Sequence, residues 1–269
     1  MTQQPLLIAE QIKKTFNPLT PNEKVALKGI TLSLQQGEFC VVIGSNGAGK
    51  STLLNAIAGR FPLDQGRIMI DGQDVTRLRE FERARWIGRV FQDPLAGTAP
   101  SLTIFENMAI AYRRGMPRTL KSTFKQTYRE RFMDALKELG LGLEGRLGTK
   151  VGTLSGGERQ ALTLVMATFT DPKLLLLDEH TAALDPKRAA LITELTNKIV
   201  RQKRLTTLMI THNMEQALHL GDRLIMMHAG EIVLDLGAEQ KSRMKVRDLI
   251  DAFEKVRGET FADDRVVLG

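Results

Sequence analysis

The chain has one cysteine, one tryptophan and two tyrosines among its 269 residues. A single thiol cannot close an internal disulfide, so the fold must be held by packing and the chain suits a reducing compartment. Cys40 lies inside the apolar run Phe39 to Ile43 and reads as a small buried hydrophobe rather than a reactive thiol. No apolar stretch approaches the roughly 18 to 20 residues that span a bilayer, and Met1 to Glu10 has no secretory-leader pattern. Internal repeats and low-complexity tracts are also missing. These absences argue against a disulfide scaffold, a membrane bundle and a solenoid, and predict a cytoplasmic chain unless something else holds it.

Charge is plentiful. Lys and Arg number 38 against 31 Asp and Glu, a net charge of +7 with pI ≈ 9.6. That balance favours anionic partners, whether nucleotide, nucleic acid or a membrane surface, without choosing among them. At this length the chain can bury one substantial core, or a core with a subdomain.

The most informative stretch is Gly44-Ser45-Asn46-Gly47-Ala48-Gly49-Lys50-Ser51-Thr52, which follows the apolar run and fits G-x-x-x-x-G-K-[ST]. Glycines let backbone N–H groups approach a polyphosphate, Lys50 reaches the β- and γ-phosphates, and the Ser51 hydroxyl suits Mg²⁺. Leu53, Leu54, Ile57 and Ala58 share one face of the following helix, and Gly59 stops it. A glycine-rich turn without ligand is the plainer alternative.

Upstream, Leu6 to Ile12 and Val25 to Leu34 have strand character, and Phe16 between them is either a core residue or a base-stacking aromatic. Downstream, Gly66 to Ile70 is a strand ending in an Asp71-Gly72 turn, Arg79 to Arg85 is helical, and Trp86 to Phe91 is a strand that Gln92 ends. An amide at a strand edge can touch a metal-bound water, though alone it carries little weight. Thr103 and Glu106 have capping-box spacing. Phe124, Tyr128, Phe132, Ala135 and Leu139 form a helical face that Gly140 ends. Arg113 to Arg131 carries seven basic residues and one acidic, either a solvated surface or a contact for an acidic partner or lipid headgroups.

Leu154-Ser155-Gly156-Gly157-Glu158-Arg159-Gln160 opens an apolar helix. Ser155 and Glu158 form a capping box, but two glycines are poor helix formers that leave N–H groups open at a positive helix end. That makes a second anion site, which a nucleotide held between two copies would use. Leu174 to Leu177 reads as a buried parallel strand ending in Asp178-Glu179, where Asp178 would hold Mg²⁺ and Glu179 would polarise an attacking water. Asp185-Pro186 starts a helix to Arg201. Thr206 to Ile210 is another strand, with His212 just past its carboxyl end in reach of a γ-phosphate. Leu224 to His228 and Glu231 to Leu236 form a hairpin, and Val246, Leu249, Ile250, Phe253 and Val256 an amphipathic helix; the tail after Gly258 carries no signal.

The order of these runs resembles the ATPase subunit of an ABC transporter over nearly the whole chain. The resemblance implies an α/β P-loop NTPase core with a mainly parallel sheet, an N-terminal antiparallel β subdomain and an α-helical subdomain. It implies one ABC ATPase domain over 1–269: a nucleotide-binding core at about 1–92 and 170–240, the helical subdomain at about 93–169, and a C-terminal helix and tail at about 241–269. ATP and Mg²⁺ are the implied ligands. Phe16 is similar to the adenine-stacking aromatic; Lys50, Ser51 and Thr52 to phosphate and metal contacts; Gln92 to the residue coupling the metal site to the membrane partner. Ser155 and Gly157 would face the other subunit's γ-phosphate, Asp178 would bind Mg²⁺, Glu179 would be the general base, Asp185 would communicate across the dimer and His212 would sense the γ-phosphate. Implied partners are a second ATPase subunit packed head to tail, a transmembrane permease docked on the helical subdomain, and an extracytoplasmic solute-binding protein, with the chain peripheral on the cytoplasmic face of the plasma membrane and no nucleic acid bound.

Three positions depart from the family pattern: His180 replaces a proline, Asn213 an acidic residue and Glu158 a glutamine. The runs Gly88 to Pro94 and Asp178 to Pro186 are most similar to bacterial importers of tryptophan/tyrosine-type or related small solutes. An exporter subunit, a soluble ABC ATPase acting on DNA or ribosomes, and a non-catalytic interaction subunit are the competing readings.

Overall fold

The computed structural model describes residues 4–116 and 126–267. Among the described residues ten strands form two sheets. In the first, β1 (Leu7–Phe16), β2 (Lys24–Leu34), β4 (Gln65–Ile70) and β5 (Gln73–Asp74) pair antiparallel in the order β2-β1-β4-β5. Leu7 lies opposite Leu34 and Ile70, and Ala9 opposite Leu32 and Ile68. These six side chains share one face, each 2% exposed or less, which is the period-2 pattern expected of a half-buried sheet. β1 runs four residues beyond the expected Ile12, because its polar end Lys13 to Phe16 pairs on to Lys24.

The second sheet has the order β10-β9-β3-β8-β7-β6. Its strands are β3 (Phe39–Gly44), β6 (Ile87–Val90), β7 (Leu174–Asp178), β8 (Thr206–Ile210), β9 (Arg223–His228) and β10 (Glu231–Leu236), parallel except for the β9-β10 hairpin. The central strands are buried on both faces, and alternate residues feed two cores. Cys40, Val42, Leu174, Leu176, Leu208 and Ile210 pack with α1 (Lys50–Ala58) and the antiparallel sheet. Phe39, Val41, Ile43, Leu175, Leu177 and Met209 pack on the opposite side with α3 (Ile104–Tyr112), α4 (Gln126–Lys137), α5 (Gly156–Thr168) and α6 (Pro186–Lys203). The short helices are α2 (Glu80–Arg83), α7 (Met214–His219) and α8 (Ala238–Arg243). Among the described residues no helix is long and apolar enough to cross a membrane.

Two expectations change, and a third lies partly outside the described residues. The last helix, α9 (Val246–Val267), continues past Gly258, since one glycine costs only about 1 kcal/mol and neither proline nor a cap follows. Phe124 of the expected aromatic stripe lies outside the described residues, whereas Phe132 and Leu139 are buried as expected. The basic run, of which 117–125 lie outside the described residues, is not uniformly a solvated surface. Arg114 is half-buried and donates to the carbonyls of Met166 (2.5 Å) and Ala167 (3.2 Å) at the end of α5. Arg131 lies over the rings of Tyr112 and Phe169.

A second arginine does the same for α1. Arg83, 1% exposed, donates to the carbonyls of Ala56 and Ile57 in the last turn of α1, and to those of Thr76 and Leu78. The carboxyl ends of both helices that begin at a candidate anion site are thus closed by a guanidinium from elsewhere in the chain.

Candidate functional site

Strand β3 delivers the loop Gly44 to Gly49 to the carboxyl edge of the parallel sheet, where α1 starts. Gly49 has φ +100, and a Cβ there would meet the Ala26 carbonyl oxygen at 2.6 Å, so this turn requires glycine. Lys50 is 5% exposed and donates to the carbonyls of Gly44 (2.8 Å) and Ser45 (3.0 Å). Burial lowers the pKa of its amine, with Glu179 and Asp178 acting in the opposite sense. Asn46, Gly47, Ala48, Gly49, Lys50, Ser51 and Thr52, with Lys24, Ala26 and Glu179, line a recess of ≈ 160 Å³.

The register of β7 beside β8 carries Asp178 and Glu179 to the same edge. The Ser51 hydroxyl donates to Asp178 Oδ1 at 3.4 Å across 127 residues of sequence. Burial raises the Asp178 pKa, opposed first by Arg89, whose Nη2 is 3.6 Å from Asp178 Oδ2. The same guanidinium donates to Asn55 Oδ1 on α1 at 2.6 Å. A hydroxyl beside a carboxylate is a hard oxygen donor set that fits Mg²⁺, which takes its remaining ligands from phosphates and water. Among the described residues no cluster of three or more His, Cys, Asp or Glu side chains could hold a metal by itself.

Glu179 has φ +45, an uncommon conformation for a residue with a side chain. Its N–H donates to the Ile210 carbonyl at 3.0 Å, and its Oε1 lies 2.6 Å from His212 Nε2. The carboxylate is 11% exposed and the imidazole 43%. Gln92 leaves β6 at this edge, since Val90 pairs with Leu177. Sequence reading thus located Lys50, Ser51, Asp178, Glu179, His212 and Gln92 at one edge.

The other candidates lie elsewhere. Ser155 caps α5: its hydroxyl accepts from the Glu158 N–H, while Glu158 accepts from the Ser155 N–H at 2.8 Å and pairs with Arg146 at 2.5 Å. Gly156 and Gly157 sit beside Leu184 and Arg188, and none of Ser155, Gly156 or Gly157 lines the phosphate-loop recess. Asp185 caps α6 by accepting from the Arg188 N–H at 3.1 Å. Asn213, where the family pattern has an acid, caps α7 by accepting from the Gln216 N–H at 2.9 Å. Phe16 ends β1, half-buried, with its ring edge-on to Phe61 at 5.2 Å and Lys14 Nζ 5.7 Å from its centroid.

Sequence reading gave no role to Arg89, Phe61 or the pair His180 and Thr196. Arg89 could have been noticed as a charge in an otherwise apolar strand. His180 is 2% exposed, with Nε2 2.9 Å from Thr196 Oγ1, and burial pushes its pKa down to about 4.

Residues 27–182 match the family model described as ABC transporter. The chain is 43% identical over 249 residues to a tyrosine transport ATP-binding protein of Clostridioides difficile (strain R20291), covering 93% of this chain and 99% of that protein. It is 36% identical to a spermidine/putrescine import ATP-binding protein of Haemophilus ducreyi (strain 35000HP / ATCC 700724), covering 79% of this chain but 54% of that one, about half its length. Among solved structures, a dimeric post-hydrolysis ATP-binding cassette bound to ADP and Pi superposes with a TM-score of 0.74 at 29% identity, over 86% of this chain and 98% of that one. An ATP-binding cassette of an ABC transporter does so with a TM-score of 0.77 at 27% identity, over 93% and 99%. With its phosphate loop, acidic strand end and histidine assembled on one sheet edge, the chain belongs to the ABC transporter family, as an ATP-binding and ATP-hydrolysing subunit.

Proposed function

We propose that this chain powers bacterial import of a small solute of the amino-acid class, working as a pair of ATPase subunits beneath a separate permease. The observation that carries the reading is the shared edge at which Ser51, Asp178, Glu179 and His212 meet the loop of Lys50. ATP would lie with its phosphates along Gly44 to Thr52 and its adenine against Phe16. Mg²⁺, held by Ser51 and Asp178 with Gln92 through water, would neutralise phosphate charge. Glu179 would accept a proton from the attacking water, and His212, hydrogen-bonded to Glu179, would orient that carboxylate and reach the γ-phosphate.

The placement of Ser155, Gly156 and Gly157 outside the recess supports a second copy. A helix start with open N–H groups is complete as an anion site only when another subunit's nucleotide is brought to it. Head-to-tail closure would supply this, with Asp185 near the seam. The dimeric cassette among the structural relatives supports the same arrangement. A groove of ≈ 400 Å³ between α3, α5 and β6, lined by Phe91, Ala96, Ile110, Arg113 and Met166, supports docking of a permease helix near Gln92. The solute class is supported by the tyrosine transport relative, matched over nearly its whole length. A periplasmic or cell-surface binding protein would deliver the solute, and the chain would sit on the cytoplasmic face of the membrane.

The test is a pull-down of tagged protein from detergent-solubilised membranes with mass spectrometry, followed by tyrosine uptake into proteoliposomes of the recovered complex. A multi-span permease and ATP-dependent uptake are expected. Recovery of ribosomal proteins or nucleic acid instead would remove the transport reading and leave the ATPase.

A further inference from the structure

Glu179 stands between two spaces. It lines the phosphate-loop recess and also a cleft of ≈ 790 Å³ between α6 and α7. Its φ of +45 is uncommon for a residue with a side chain, so the direction of the carboxylate depends on what holds the backbone in that conformation. Two backbone bonds hold it: its N–H donates to Ile210, and its carbonyl accepts from Ala182 at 2.9 Å. A third restraint comes from the next residue. The His180 ring is sunk into the core with Nε2 against Thr196 Oγ1 on α6.

The direction of that bond follows from its neighbour. Thr196 Oγ1 donates its only proton to the Ile192 carbonyl at 2.7 Å, so it must accept from His180 Nε2–H. The ring is then the Nε2–H tautomer, and Nδ1 is left as a buried acceptor with no partner among the described residues. An apolar side chain would fill the same volume without an unsatisfied atom. What it would not provide is a directional tie between the strand end carrying Glu179 and a rigid helix. We propose that His180 is a positioning residue for ATP hydrolysis: its bond to Thr196 holds the backbone of Glu179 so that the carboxylate faces the nucleotide. This rests on Glu179 being the general base.

The experiment is steady-state ATPase kinetics of the full-length protein, with nucleotide affinity from a fluorescent ATP analogue and melting curves as a folding control. Thr196→Val keeps the volume and removes the acceptor. It is expected to lower kcat about tenfold or more while KM changes less than about twofold, since a small misplacement of a reacting group is enough for such losses. Thr196→Ser, which keeps the hydroxyl, is expected to return kcat to within about twofold of wild type by restoring the acceptor. His180→Phe should match Thr196→Val, and if it does not fold the threonine pair decides. In a Glu179→Gln background, Thr196→Val should cause no further loss. Wild-type kcat in Thr196→Val, or equal losses in the Val and Ser variants, would overturn the proposal while leaving Glu179 as base. Wild-type turnover in Glu179→Gln would remove the base and the positioning role together.

Discussion

His212 Nε2 and Glu179 Oε1 lie 2.6 Å apart, although the two residues come from the ends of different strands. The contact makes the imidazole N–H a donor to the carboxylate and couples the two groups. Glu179→Gln is expected to bind ATP normally, to lose hydrolysis by a factor of about 10² to 10⁴, and to accumulate a closed dimer. His212→Ala should also lower kcat. The double variant should be no slower than Glu179→Gln alone, because losses within one catalytic unit do not add. Phosphate release and size-exclusion chromatography with ATP measure both.

Phe16 is expected to act on nucleotide affinity rather than on chemistry. Stacking of a base on an aromatic ring is worth about 1–3 kcal/mol, so Phe16→Ala should weaken ATP binding about 5- to 150-fold with kcat near wild type. Phe61→Leu, which removes the ring set edge-on to Phe16, should give a smaller loss in the same direction. Equilibrium nucleotide titration reads both effects, and unchanged affinity in Phe16→Ala would return this ring to a packing role.

Arg83 tests how the phosphate loop is supported from behind. Its guanidinium serves four carbonyls, two of them in the last turn of α1. Arg83→Met should lower unfolding free energy by about 2–4 kcal/mol, because buried acceptors lose their donors. Arg83→Lys should recover only part, having one nitrogen in place of a fork. Urea denaturation gives the size, and an effect below about 0.5 kcal/mol, typical of surface substitutions, would show that solvent replaces the arginine.

Lys241 provides a pH signature. It is 4% exposed, its amine donates to the carbonyls of Leu220 and Gly221, and burial lowers its pKa from 10.5 to about 8. Between about pH 8 and 10.5 the unfolded chain holds this proton and the folded chain does not. The stability contributed by this group therefore rises with pH through that window and falls back as pH drops to 8. The deprotonated amine keeps two N–H donors for the two carbonyls. Asp222, Cys40 and Arg201 also act on the amine, and the Cys40 thiol, raised by burial, opposes the trend above pH 9. The contribution of Lys241 is therefore read as the difference between wild type and Lys241→Met. That difference should shift in favour of wild type from pH 8 to 10 in urea melts, and a flat difference would contradict the assignment.

Much of the nucleotide edge was legible beforehand because its residues announce themselves locally. Gly44 to Thr52 is a spaced glycine pattern, Asp178-Glu179 ends an apolar run, and Ser155 with Glu158 is a capping box that the structure reproduces. Their convergence could be argued from parallel-strand logic alone, since such strands present their carboxyl ends at one edge. The missed partners had no comparable signal. Phe61 lies in an ordinary loop, Thr196 is one of many polar helix residues, and Arg89 becomes informative only when Asp178 and Asn55 are seen beside it. The basic run stayed open between two readings for a related reason: composition reports charge, while tertiary packing decides that Arg114 closes α5.

The sequence by itself determined the type and order of most strands and helices, where the backbone must turn through glycine, and which side chains are candidates for phosphate and acid-base chemistry, though not where β1 or α9 ends. Those properties depend on neighbours a few residues away. The tertiary structure alone decided that Ser51 meets Asp178 across 127 residues, that Glu179 is held against His212, and that His180 is tied to α6. It also decided that the start of α5 lies away from the loop of its own chain. These relations follow from strand order and from the packing of two cores on one sheet, and no local pattern encodes either.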